Sequence, residues 1–557
     1  MATEQQASEI NIPVSETYWS LVDKADKKFS KIRDLPYYER SRYNTYFYKV
    51  FKVYTKLWKF QQENRQKLVE AGVKRWEIGE IASRIAQLYY GQYMRTSDAS
   101  YLKDSFVFYE AILNREYFDC SIQSLNMTNK QMRFLARFMM VCLVMNRREK
   151  LHQLISQLKM MVDECKRTFQ ETDFKEWKVV LQEIIRFLKA DANFMNIRPL
   201  RYSIVIDPDP DSMPRVSSKR SLKLRDAILS SYYRNEIKFS DMGLDTFRML
   251  QSLEWEPSGS FYQPNAKTGP IDGQAPNRIN HANEIVDPTL PLNPRKAILY
   301  RPSSSCFLAV LATICEELPP DGILLIYLSA SVRGGRGGCN TEVPPTSSDA
   351  NKEECLYFGY GNDGVINGIY PTDIVPFTRK PLFIIIDSDG SDSFKSIYGS
   401  EKGESAAILL SPSCSPPLTV TDSNRYQNGT VFTLFLTAPL QAFCLLIGLS
   451  GPDINMDTYD KADALLNSTI AELSSTLAAS DGVHPVWAQS LNDPFLRRLF
   501  LRFVFCHALM TSHVSSSGRP ECHPQCLPVT FLPSCQVPVR DLASIFGVAD
   551  QFKFSDE

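Results

Sequence analysis

The chain is predicted to be an α and α/β multidomain protein, an N-terminal α-helical tetratricopeptide-like array followed by a C-terminal doubly wound, mainly parallel α/β domain. Three observations predict this. From Tyr37 to Ala190 apolar residues recur at helical spacing with only short breaks. Past residue 294 the pattern changes to aliphatic runs such as ILLIYL and LFIII, which need cover on both faces and alternate with helical stretches. Between the two, residues 257–294 are rich in Pro, Gly, Asn and Ser with almost no apolar period, the composition of a linker.

At 557 residues the chain is long enough for several domains, each burying its own core, and its 44% hydrophobic and 22% charged composition is that of an ordinary globular protein. The formal net charge of -1 hides an asymmetry, because residues 1–200 carry roughly 33 Lys plus Arg against roughly 24 Asp plus Glu. Opposite signs in the two halves suit either mutual docking or a basic half that meets an acidic partner. The 13 cysteines, an odd number and mostly inside apolar runs, read as reduced, intracellular thiols in a chain with no secretory signal at Met1. Asn126, Asn428 and Asn467 head glycosylation patterns that such a chain leaves unmodified.

Residues 1–14 read as a polar, flexible tail and 15–200 as the helical domain. Ser15 is placed as an N-cap, with Trp19, Leu21 and Val22 on the apolar side of the helix that follows. Pro36 breaks the chain before the central helix, Tyr37 to Leu68. There Tyr43, Phe47, Val50, Tyr54 and Leu57 form one stripe, widened by Tyr46, Phe51 and Trp58, while Arg40, Arg42, Lys49, Lys52, Lys56 and Lys59 make a cationic outer face. A core helix with a solvated edge explains that face without function. The functional expectation is that Arg40, Arg42, Lys49, Lys52 and Lys56 bind a partner. Farther on, Ser105, Tyr109 and Ile112 follow a tetratricopeptide-like spacing loosely, without the first-helix tryptophan and glycine.

Residues 201–256 read as a bridge between the halves: a strand at Tyr202 to Ile206, a helix over Ser217 to Arg234, and another from Ser240 to Glu256. Lys219, Arg220, Lys223 and Arg225 read as a solvated helix start rather than an import signal. Residues 295–510 form the α/β domain, with strands at AILYRP, GILLIYLSAS, PLFIIID and AAILLSP and a mobile insert at 333–378. The apolar run Val431 to Leu449 reads as two buried strands turning at Ala438-Pro439. Pro439 and Gln441 at its middle argue against a membrane span, which leaves a membrane-anchored adaptor as a rival reading. Residues 511–557 read as a Pro/Cys-rich tail with a terminal helix.

No chemical motif assembles. Ser331 to Asn340, SVRGGRGGCN, follows a strand but lacks the endings of a nucleotide loop, and its Arg333 and Arg336 read as parts of a flexible loop. Asp387, Asp389 and Asp392 fall just past a strand, where magnesium would sit in a hydrolase or phosphatase. The partner elements of such enzymes are missing, and Tyr398 occupies the position where a calcium loop needs glutamate. Cys506, His507, His513, Cys522, His523 and Cys526 are zinc-type ligands without zinc spacing. The expectation is no catalytic residue, no metal and no cofactor, with a metal-dependent hydrolase using Asp387 and Asp389 as the rival.

The stretches YTKLWKFQQENRQ, KRWEIGEIASRIAQLYYGQYMRTS, RFLARFMMVCLVMNR, KFSDMGLDTFRMLQSLEWEP, LLIYLSAS, PFTRKPLFIIID and FTLFLTAPLQAF are long and low in repetition. In them the chain resembles the suppressor of cancer cell invasion family along nearly its whole length. The resemblance implies a nuclear and cytoplasmic transcriptional corepressor that binds a myocardin-related coactivator with serum response factor, downstream of Rho and actin signalling, and so limits cell migration and invasion. It also implies a link to repair factors on chromatin at DNA double-strand breaks. It brings no catalytic activity, no sequence-specific nucleic-acid contact and no individual binding residue.

Overall fold

In the computed structural model the described residues are 13–118, 125–145, 147–169, 174–192, 216, 218, 220–233, 242–254, 293–331, 355–360, 366–414, 429–449 and 455–554. The chain divides into two compact units, Met1–Phe174 and Lys175–Glu557.

The described part of the first unit is helical: α1 Val14–Arg33, α2 Arg40–Glu63, α3 Arg65–Glu70, α4 Arg75–Thr96, α5 Ala99–Asn114, α6 Leu125–Val144 and α7 Arg148–Phe169. The predicted stripe of α2 is its core face, since Tyr43, Phe47, Val50, Tyr54 and Leu57 are all buried. The long predicted helix stops at Asn64, whose side chain donates to Phe60 O at 3.0 Å before the short α3 begins. Helix α1 starts two residues earlier than expected, at Val14 after Pro13, so Ser15 is not its N-cap. Trp19 also departs from expectation. It is 42% exposed, while Tyr18, Val22, Ala25 and Ile32 supply the buried face of α1.

Charged side chains tie the helices together. Asp26 of α1 accepts a hydrogen bond from Tyr54 at 3.1 Å and pairs with Arg84 of α4, which also reaches Glu80 at 3.0 Å; Glu80 in turn pairs with Lys130 of α6 at 2.9 Å. Arg95 lies over the Tyr43 ring, 3.8 Å from its centroid, and donates to the carbonyls of Leu35 and Pro36, fixing the turn between α1 and α2. Ser105, Tyr109 and Ile112 are buried, and Ser105 Oγ donates to Ala86 O at 2.9 Å, joining α5 to α4.

The second unit carries α8 Phe174–Ala192, β1 Lys223–Tyr232, α9 Leu244–Leu253, β2 Arg295–Leu299, α10 Ser304–Glu317, β3 Gly322–Ala330, β4 Leu356–Tyr360, β5 Ile366–Ile369, α11 Pro371–Ile374, β6 Leu382–Asp387 and β7 Ala407–Leu410. After these come α12 Val431–Thr437, α13 Pro439–Leu446, α14 Met456–Ala479, α15 Pro485–Ser490, α16 Pro494–Ser512, β8 Gln525–Leu527 and α17 Gln536–Ile545. Six strands form one sheet in the order β2-β1-β3-β6-β7-β8, parallel throughout except for the antiparallel β7–β8 pair. This is the mainly parallel sheet the aliphatic runs predicted. Every residue of β3 and β6 is buried, as strands covered on both faces require.

Four expectations need correction. The helix expected over Ser217 to Arg234 is the strand β1, paired on both sides within the sheet. The two strands expected in Val431 to Leu449 are helices α12 and α13, broken at Ala438 before Pro439. An apolar run covered all round has no period to separate the two cases. Within the insert expected to be mobile, 355–360 and 366–369 form the β4–β5 hairpin and Pro371 opens α11. The segment 511–557, expected as a tail with a terminal helix, carries the helix α17 and also supplies the strand β8, paired with β7 in the sheet. The strand expected at Tyr202 to Ile206, all but the last two residues of the linker expected over 257–294, and Lys219, Arg333 and Arg336 lie outside the described residues. Among the described residues no helix is long and apolar enough to cross a membrane.

Candidate functional site

Open α/β sheets bind ligands outside the carboxyl ends of their strands. Here the end of β6 is filled by the chain's own side chains. Asp387, the last residue of β6, is buried, and its Oδ2 accepts hydrogen bonds from the hydroxyls of Thr430 and, at 2.6 Å, of Thr433. Thr430 is the N-cap of α12 and Thr433 lies in its first turn, so the carboxylate faces the positive end of that helix. Tyr327 of β3 meets Thr433 Oγ1 at 2.7 Å. Burial, with Asp245 and Asp387 nearby, pushes the Tyr327 phenol far above its ordinary range. The backbone of Thr430 donates to Asp245 Oδ1 of α9 at 3.1 Å, and Gly429 reaches this contact with a φ of +73°, where a Cβ would strike the Asp245 carboxylate.

Such an arrangement holds a strand end, a helix start and α9 in one place. It does not present a carboxylate to a ligand. Asp389 and Asp392 are exposed, and Asp392 pairs with Lys395 at 2.6 Å, so the structure does not bring the three aspartates together. The carboxyl-terminal Cys/His residues are similarly scattered. Cys506 is buried inside α16, the His507 and His523 rings are 6.3 Å apart, and His513 Nδ1 lies 2.7 Å from Ser515 Oγ. Among the described residues no three His, Cys, Asp or Glu side chains could hold a metal together.

The open chemistry is on the first unit. Arg42, Lys49, Lys52, Lys56 and Lys59 are exposed along α2, Arg40 is half-buried, and Tyr48 stands 63% exposed among them. Arg42 pairs with Glu39 at 2.6 Å, and Lys49 lies 5.8 Å from the centroid of the Tyr46 ring, so part of this cationic face is held in position by its own neighbours. A second cationic face escaped the sequence reading. On α1, Lys24, Lys27, Lys28 and Lys31 line a shallow groove of about 930 Å³ together with Trp19, Ser20 and Asp23. The spacing of the four lysines was legible; the outward Trp19 was not, because a tryptophan beside Leu21 and Val22 fits an apolar face equally well.

The model of the family described as Protein SCAI matches residues 20–516, from within α1 to just beyond α16. The chain belongs to the SCAI family. Protein SCAI of Homo sapiens is 35% identical over 553 residues, covering 96% of this chain and 88% of the human protein. Protein SCAI of Mus musculus is likewise 35% identical over 554 residues, with the same coverage. The Protein SCAI homolog of Dictyostelium discoideum is 28% identical over 714 residues, covering 97% of this chain and 91% of that protein. No solved structure matches the chain. The SCAI match includes the α2 face and the filled strand end at Asp387, and takes in all but the first residues of the α1 groove.

Proposed function

We propose that this SCAI-family chain is a regulatory interaction protein, a transcriptional corepressor that binds a myocardin-related coactivator and restrains serum-response-factor target genes downstream of Rho and actin signalling. The observation that carries the reading is family membership across residues 20–516. Action in nucleus and cytoplasm, limitation of cell migration and contact with double-strand-break factors on chromatin belong to the same proposal. The cationic helical faces support it, since lysines interleaved with exposed aromatic rings suit an acidic protein segment. Stacked helix pairs in a tetratricopeptide-like arrangement would give such a segment an extended surface to follow.

The test is a coactivator pulldown with the triple reversal Lys49→Glu, Lys52→Glu and Lys56→Glu, read alongside a serum-response-factor reporter. Loss of capture and of repression, with an unchanged circular dichroism spectrum, is expected. Full capture by the folded triple variant removes α2 from the binding surface, and failure of the unaltered chain to capture the coactivator overturns the function itself.

A further inference from the structure

Cys414 lies just past β7, and Cys522 ends the turn Pro520–Cys522 that precedes β8. The backbone N–H of Cys414 donates to the carbonyl of Glu521 at 3.0 Å. That bond sets the Cys414 backbone against the residue that precedes Cys522. The two thiols are hydrogen-bonded to each other. They differ in access, because Cys414 is exposed and Cys522 is buried.

We propose that Cys414 and Cys522 form an oxidative modification site, at which a hydroperoxide converts the pair into a disulfide that joins the end of β7 to the turn before β8. The exposed Cys414 sulfur, as thiolate, attacks the outer oxygen of the hydroperoxide. The O–O bond breaks, the alkoxide or hydroxide so released takes up the proton that the Cys414 thiol had given up and leaves as alcohol or water, and Cys414 becomes a sulfenic acid. The Cys522 sulfur then attacks the Cys414 sulfur, forming the S–S bond and expelling hydroxide, which takes the Cys522 proton and leaves as water. Two thiols are oxidised by two electrons, and one peroxide is reduced to one alcohol and one water. Burial first, and the Cys414 sulfur second, push the Cys522 thiol up to about 11, so Cys522 stays protonated while the exposed Cys414 meets the peroxide. The crosslink fastens the carboxyl-terminal segment to the sheet beside the β7–β8 pairing at Ile408–Leu410 and Gln525–Leu527.

The experiment treats the full chain with hydrogen peroxide, blocks remaining thiols with N-ethylmaleimide, and maps peptides by mass spectrometry. The expected result is loss of two hydrogen masses, a peptide linking Cys414 to Cys522, and a melting temperature raised by several degrees that dithiothreitol returns to its starting value. In Cys522→Ser the sulfenic acid on Cys414 should stall and be trapped by dimedone several-fold more than in the unaltered chain; in Cys414→Ser the link should vanish. Both serine variants should melt like the unaltered chain under reducing conditions. If either fails to fold, the peptide map of the unaltered chain decides alone. Retention of both thiols, or a link from either cysteine to some other residue, overturns the proposal.

Discussion

Thr433 Oγ1 donates to Asp387 Oδ2 at 2.6 Å across 46 residues of chain, and this bond joins the end of β6 to the first turn of α12. Asp387 is therefore a structural carboxylate. Asp387→Ala leaves the hydroxyls of Thr430 and Thr433 buried without their acceptor, a cost of about 3 kcal/mol. Thr433→Val removes one donor and also the partner of Tyr327, at about 1–3 kcal/mol. Urea unfolding should show both losses, together with faster hydrogen exchange in β6. A metal role for Asp387 would instead give a variant of unchanged stability.

A buried ion pair makes a second test. Lys296 of β2 donates to Glu254, just past α9, and both side chains are almost fully buried. Burial drives the Lys296 amine below its ordinary range and Glu254 draws it back up. Glu254→Gln leaves a cation in the core without its counter-charge, and should cost about 3–5 kcal/mol. The double variant Glu254→Leu with Lys296→Met should recover most of that loss, because apolar side chains of similar volume avoid the desolvation of both ions. The comparison is a double-mutant cycle in urea midpoints. Equal losses in the single and double variants would show that other neighbours set the cost.

What could be read from the amino acids follows how local each determinant is. The buried stripe of α2 was legible because bulky aromatics and lysines alternate at the helical period within one segment. β1 was misread because KLRDAILSSY has no strict alternation, and what makes it a strand is pairing with β2 and β3 farther along the chain. The position of Asp387 at a strand's carboxyl end was visible in FIIID, but its donors lie 43 and 46 residues away in a run misread as strands. The acidic turn therefore looked open to a metal.

Acidification should loosen the carboxyl-terminal segment. Burial first, and the nearby His523 second, lower the His507 pKa, while burial alone lowers that of His513; the ordinary value is 6.5 in each case. With the folded pKa below the unfolded one, the unfolded chain binds more protons in the interval between them, so stability rises with pH toward 6.5 and is lost as pH falls below it. Melting temperatures measured from pH 7.5 to 5 should fall on the acid side. His507→Gln should make that fall shallower. An unchanged acid limb in the variant would place the sensitivity in other groups, carboxylates foremost.

Trp19 separates a docking surface from a wet helix. Its ring is 42% exposed, meets Tyr18 edge-on with centroids 5.1 Å apart, and lines the groove with Lys24, Lys27, Lys28 and Lys31. Exposed substitutions away from special features change stability by no more than about 0.5 kcal/mol, so Trp19→Ala should melt close to the unaltered chain. If the groove receives an acidic segment of the coactivator, the same change removes the aromatic anchor and should weaken binding at least about tenfold, since tryptophan anchors typically contribute about 2 kcal/mol or more. Lys27→Glu with Lys31→Glu should weaken binding further and flatten its dependence on salt, because the screened attraction is then gone. Isothermal titration at two ionic strengths measures both effects. Undiminished affinity in the folded Trp19→Ala protein would mean that α1 is only the outer wall of the helical unit, and that partner contact belongs to α2 or to the α/β unit.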